Sequence, residues 1–179
     1  MKAKYILGAV LLAAVTAAII SSCKTIPKNA KAVKPFEKEK YLGKWYEIAR
    51  FDYRFEKNLN NVTATYSLKD NGFIKVDNKG YNYKKNTWEE SIGKARSAGD
   101  PEEAKLKVSF FGPFYAGYNV IAIDEDYKYA LVAGKNLDYL WLLSREKTIP
   151  ENIKQEYLNK AKAIGYKIEN LIWVQQDKS

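Results

Sequence analysis

Residues 41–179 predict an all-β domain, an eight-stranded antiparallel up-and-down β-barrel with one C-terminal amphipathic α-helix packed on the outside. Three observations predict it. Short runs that alternate apolar and polar residues recur at near-regular spacing, the periodicity of half-buried strands. Turn-forming links such as "KDNG" and "YKKNT" separate the runs and are short enough for hairpins. A single helical pattern comes after the last run. Closing eight consecutive strands on themselves removes both sheet edges, and the enclosed space is just wide enough for one small ligand.

The chain opens on "MKAK" and an apolar run from Tyr5 to Ile20. That run falls short of the roughly twenty residues a membrane-spanning helix needs, so residues 1–22 are expected to be a signal peptide. It closes on "ISSC", which resembles the lipobox of bacterial lipoproteins. Cys23 is the only cysteine of the chain and has no partner for an internal disulfide. It is expected to carry acyl chains after cleavage, each buried methylene adding about 0.8 kcal/mol to a lasting attachment. Residues 23–40, rich in lysine, are expected to be an extended, solvated tether. Lys24 follows the cysteine in place of the Asp that would resemble an inner-membrane retention signal, so the lipoprotein resemblance implies the outer membrane of a Gram-negative bacterium.

Inside the domain, "YLGKWYEIARF" is the first strand and "RFDYRF" the long first loop at the open end. "NNVTATYSL" is next, with Val62, Ala64, Tyr66 and Leu68 on one face. "FIKVDNKGY" sets Ile74 and Val76 inward, and "WEESIGKAR" is the fourth strand. "AKLKVSFF" alternates Leu106, Val108 and Phe110 against Lys105, Lys107 and Ser109. The hairpin "GPFYAG" leads into "YNVIAID", then come "YKYALVAG" and "DYLWLLSR". In "TIPENIKQEYLNKAKAIGY", Thr148 and Glu151 stand at capping-box spacing, Pro150 lies in the first turn, and Gly165 stops the helix. Its apolar stripe, Ile153, Tyr157, Ala161 and Ile164, needs a wall, and Leu140 and Leu142 on the outer face of the last barrel strand supply one. "NLIWVQQ" returns as a short strand.

The formal charge is +9, but the lysines are scattered and many neighbour carboxylates. That pattern suits solvated surface with some attraction to anionic lipid headgroups and speaks against nucleic acid. The chain has no histidine, which removes the usual general base and the commonest metal ligand. No cofactor is expected.

Gly43-Lys44-Trp45 resembles the G-x-W signature of the lipocalins, "DEDYKYALV" resembles their second block and "LWLLSR", ending at Arg145, their third. Glu125-Asp126-Tyr127 departs from the usual T-D-Y. The likeness runs from about Tyr41 to Gln176 and is strongest to the bacterial and apolipoprotein D-like branch. It implies structural roles for Gly43, Trp45 and Arg145, with the Arg145 guanidinium lying across the Trp45 indole at the closed end. The cysteines that staple animal lipocalins are absent, so the barrel must hold by packing.

With Arg145 inward, strict alternation turns Leu143, Trp141 and Tyr139 inward too, and the same parity from Trp45 carries Glu47 and Ala49 into the interior. The expected ligand-binding set is then Glu47 and Ala49; Ala64 and Tyr66; Ile74 and Val76; Val108 and Phe110; Val120, Ala122 and Val132; Tyr139 and Trp141. Phe51, Tyr53, Phe55, Phe114 and Tyr115 are expected at the mouth. The expected partners are a fatty acid or lysophospholipid and, through lipidated Cys23, the membrane; a homodimer is left open. Glu47, a carboxylate among apolar walls, must be paired or protonated. An enzyme using Glu47 with Tyr66 or Tyr139, and a scaffold whose barrel is filled by its own side chains, are the two other readings.

Overall fold

A computed structural model describes residues 25–178; the expected signal peptide and Cys23 lie outside them. The elements in order are α1 (Lys38–Tyr41), β1 (Gly43–Phe51), β2 (Leu59–Leu68), β3 (Ile74–Asn82), β4 (Thr87–Ser97), β5 (Lys105–Ser109), β6 (Ala116–Ile123), β7 (Tyr129–Ala133), β8 (Leu140–Ser144), α2 (Glu151–Ile164) and β9 (Leu171–Trp173). Neighbouring strands pair antiparallel from β2 round to β8, and β1 closes the ring by pairing with both β8 and β2. The anticipated barrel is therefore the observed one. Because β1 runs away from the Trp45 end, the links 52–58, 83–86, 110–115 and 134–139 form the open end. The links 69–73, 98–104 and 124–128 form the closed end.

Closure is not made by strand pairing alone. β1 pairs with β2 only from Gly43 to Tyr46, and beyond that β9 takes the place of β2, with Ala49 opposite Trp173 and Phe51 opposite Leu171. The last residues fill the slot between β1 and β2. Val174 N donates to Ile48 O at 2.9 Å, Asn61 N to Gln175 O at 2.7 Å, and the Gln176 side-chain amide to Glu47 O and Val62 O. Buried backbone groups at the seam thereby keep their partners.

Two apolar clusters lie on opposite faces of the wall. One fills the barrel floor around Trp45, Tyr41, Val120 and Val132. The other lies outside, where Tyr157, Ala161 and Ile164 of α2 pack on Leu140 and Leu142, as the stripe anticipated. Gly165 ends α2 at φ 113°, a conformation open to glycine at little cost. The capping box is not made: Thr148 offers only its carbonyl, to Ser144 Oγ, and Pro150 takes the cap position.

The strand register slips at three places, one of them between Asn60 and Thr63 of β2, and at the other two strict alternation misplaces expected residues. The register of β1 against β8 slips between Glu47 and Ala49, and that of β6 against β7 between Val120 and Ala122. Each extra residue reverses the parity of the strand residues beyond it. Ala49 and Ala122, expected inside, lie instead in the outer cluster beneath α2. Phe51 is likewise not at the mouth, because it packs edge-on against Tyr166 at 5.7 Å.

The expected solvated tether also differs from the segment observed. Thr25 O accepts from Asn119 Nδ2 at 2.7 Å, Val33 N donates to Val120 O and Val33 O accepts from Ala104 N, both at 2.9 Å. Phe36 is buried between Tyr41 and Tyr127. The segment needs no periodicity because main-chain hydrogen bonds to Val120, Ala104 and Glu102 hold it, and its buried Ala30 and Phe36 belong to the outer and the inner cluster respectively.

Candidate functional site

Above the floor the barrel encloses a cavity of about 870 Å³ that opens between the open-end links. Roughly 300–1,000 Å³ is the usual span of small-molecule sites. Of the residues expected to line it, Glu47, Ala64, Tyr66, Val76, Val108, Phe110, Tyr139 and Trp141 do so. Ile74, Val120 and Val132 face inward but lie in the floor cluster, outside the lining. At the mouth Tyr53, Phe55, Phe114 and Tyr115 take part, joined by Phe111.

The floor is a plug of rings. Trp45 donates from Nε1 to Tyr41 O at 2.8 Å, and the Tyr41 ring lies 4.9 Å from the indole. Arg145 completes the plug, its guanidinium 3.9 Å from the Trp45 ring centre while donating to the carbonyls of Lys40, Leu42 and Lys44. Gly43 sits at φ 95°, and a Cβ there would press on Arg145 Nη1. The Tyr118 hydroxyl bridges those of Tyr41 and Tyr66 at 2.6 and 2.7 Å. Burial pushes all three phenols above their ordinary range, so they stay neutral and able to donate. Tyr118 belongs to the site by the same parity that turned Val120 inward.

Higher up lies a charged cluster. Past the β1 bulge Arg50 turns inward and is fully buried. Its Nη1 donates to Glu47 Oε1 at 2.8 Å, and its Nη2 to the backbone carbonyls of Glu56 and Leu59. The Glu56 carboxylate accepts from Trp141 Nε1 at 3.1 Å and stands 3.8 Å from Arg50 Nε. One guanidinium thus faces two buried carboxylates. A lone ion pair would hold Glu47 low, but burial, reinforced by the charge of Glu56, outweighs Arg50 and holds its pKa well above the ordinary carboxylate range. Burial raises Glu56 too, against the Trp141 hydrogen bond and Arg50. With all three ionised the cluster carries one excess negative charge, which a proton neutralises.

Glu47 was legible as a buried carboxylate; its partners were not. Glu47 and Arg50 are three apart, on opposite faces of a regular strand, and only the bulge brings them together. Glu56 comes from the first loop, folded over the mouth with Tyr53 against Tyr139 at 5.5 Å and Trp141 at 6.4 Å. The site offers an apolar shaft, neutral phenols at its base and one proton-binding carboxylate pair on its wall.

Residues 36–176 match the lipocalin-like domain family. The chain is 54% identical to outer membrane lipoprotein Blc of Escherichia coli (strain K12) over 172 residues, 94% of this chain and 97% of that protein. It is 39% identical to apolipoprotein D of Rattus norvegicus over 123 residues, 64% of each chain. Among solved structures, insecticyanin from the tobacco hornworm Manduca sexta superposes with a TM-score of 0.67 at 20% identity, over 84% of this chain and 85% of that one. That last likeness is one of fold.

Proposed function

The chain belongs to the lipocalin family, and from that premise we propose that it is an outer-membrane lipoprotein, anchored through Cys23, whose barrel binds the acyl chain of a fatty acid or lysophospholipid. It would serve as a carrier or store of lipid in the envelope. The observation that carries the reading is the open cavity, walled by Ala64, Val76, Val108 and Phe110 and rimmed by aromatic rings. An acyl chain that buries about fifteen methylenes gains about 12 kcal/mol. Subtracting an association cost of about 4 kcal/mol leaves roughly micromolar affinity, with no catalytic group required. The cavity speaks against a self-filled scaffold.

The charges suggest how a ligand lies. A carboxylate or phosphate pushed down to Glu47 and Glu56 finds Arg50 already held by those two groups, whereas Arg54, Lys79 and Lys135 line the upper cavity beside Glu89 and Glu90. The tail therefore enters first and an acidic headgroup stays at the rim. Native mass spectrometry of delipidated protein with lysophospholipid or palmitate is expected to give a one-to-one adduct. Val108→Trp, which fills the shaft, is expected to weaken it by about tenfold or more. No adduct with either lipid would refute the reading.

A further inference from the structure

A tethered barrel can stand on its membrane by either end, and the path of the amino-terminal segment distinguishes them. Thr25 lies at the open end: a Cβ on Gly117, the second residue of β6, would collide with the Thr25 carbonyl. Ile26 to Asn29 lie beside Lys135 to Leu137 of the open-end link 134–139. From there the chain descends the outside of the barrel, through Val33 on Val120, to Phe36 at the closed end, where its amide donates to Glu102 O. Cys23 stands two residues before Thr25, a reach of at most about 7 Å. The described chain thus begins beside the mouth, and an anchor on Cys23 would have to start within that reach.

Two independent features mark the same end. The rim exposes Phe55 at 53%, Phe111 at 66% and Phe114 at 79%, with the Phe55 and Phe111 rings 5.9 Å apart. Single exposed apolar residues are ordinary on a soluble surface, but a group of rings around one opening is a contact patch. Charge divides along the barrel axis as well. The open-end links carry Arg54, Lys57, Lys84, Lys85 and Lys135, with Asp52 and Asp138 as the exposed opposition. The closed-end links carry Asp70, Asp100, Glu102, Glu103, Asp124, Glu125 and Asp126, against Lys69 and Lys128, with Lys34, Lys38 and Lys40 of the adjoining segment offsetting part of that charge. An anionic bilayer therefore attracts the first end more strongly than the second.

We propose that the open end docks on the leaflet that holds the acylated Cys23, with Phe111 and Phe114 seated among anionic lipid headgroups and the cavity mouth opening onto the bilayer. The inference rests on the lipoprotein reading above and adds an orientation to it. Lipid so placed passes between leaflet and cavity without its tail crossing water. A barrel standing on its closed end would instead need a detour of the chain past Thr25 and would set the carboxylates of links 98–104 and 124–128 against the headgroups.

The test is hydrogen-exchange mass spectrometry of the lipidated full chain in bilayers of phosphatidylethanolamine and phosphatidylglycerol, compared with the soluble Cys23→Ser chain. Slower exchange is expected in 52–58, 110–115 and 134–139, with 98–104 and 124–128 unchanged. In parallel, Phe111→Ser/Phe114→Ser in the soluble chain is expected to lower partition onto phosphatidylglycerol vesicles by about tenfold, since both side chains are exposed and their loss leaves the fold intact. Protection at the closed-end links, or at no link, overturns the orientation while leaving lipid binding in the cavity untouched. An intact mass without acyl chains on Cys23 overturns the lipoprotein reading and the orientation with it.

Discussion

At Arg50 one buried cation serves two buried carboxylates, and the sign of its pH dependence comes from that imbalance. A carboxyl whose pKa is raised by folding binds its proton more tightly in the folded state. Its contribution to stability is then fully present below the ordinary value of 4.5 and declines as pH rises through the raised value. The exposed carboxylates Asp100 and Glu151 are lowered instead, by hydrogen bonds to Lys34 and to Gln155 and Lys154, so their effect falls at lower pH. Chemical denaturation between pH 4.5 and 8 therefore reports the interior pair. Glu56→Gln retains an oxygen for Trp141 Nε1 and balances Glu47 against Arg50, and is expected to flatten the decline. Arg50→Met leaves two carboxylates without a cation and is expected to cost about 3–5 kcal/mol at neutral pH. An unchanged slope in Glu56→Gln would show that the two carboxylates do not share a proton.

Along an element, alternation is a reliable guide until a residue is inserted. The strands, α2 and its Leu140–Leu142 wall were all legible, because period 2 and period 3.6 survive wherever pairing is regular. The bulges at Ile48 and Ile121 carry no composition of their own, so Ala49 and Ala122 were assigned to the wrong face and Arg50 was hidden among outward residues. The amino-terminal segment was illegible for a different reason. Its partners are the main chain of Ala104 and Val120 and the amide of Asn119, distant in sequence and indifferent to its side chains. One side chain nevertheless decides whether it seats. Gly117→Val would occupy the space of the Thr25 carbonyl, and is expected to release residues 25–33 and lower stability by about 1–3 kcal/mol. Faster amide exchange confined to that segment, with the far-ultraviolet spectrum of the barrel unchanged, is the expected signature.

For the whole molecule, the cavity links cargo to stability. A lipid that binds the folded state alone, present at a hundred times its dissociation constant, adds about 2.7 kcal/mol. In a domain of this size the melting temperature is then expected to rise by roughly 5–10 °C, measurable by scanning calorimetry with lysophospholipid. The same wall imposes an order of events on the chain itself. Since Val174 to Lys178 occupy the slot between β1 and β2, with Asn61 gripping Asp177 and Lys178 through its side chain, the vessel is laced shut by a segment 116 residues along the chain from the asparagine that holds it. Until that docking is made the barrel is an open trough that cannot retain a hydrocarbon, so the seam must close before cargo is held.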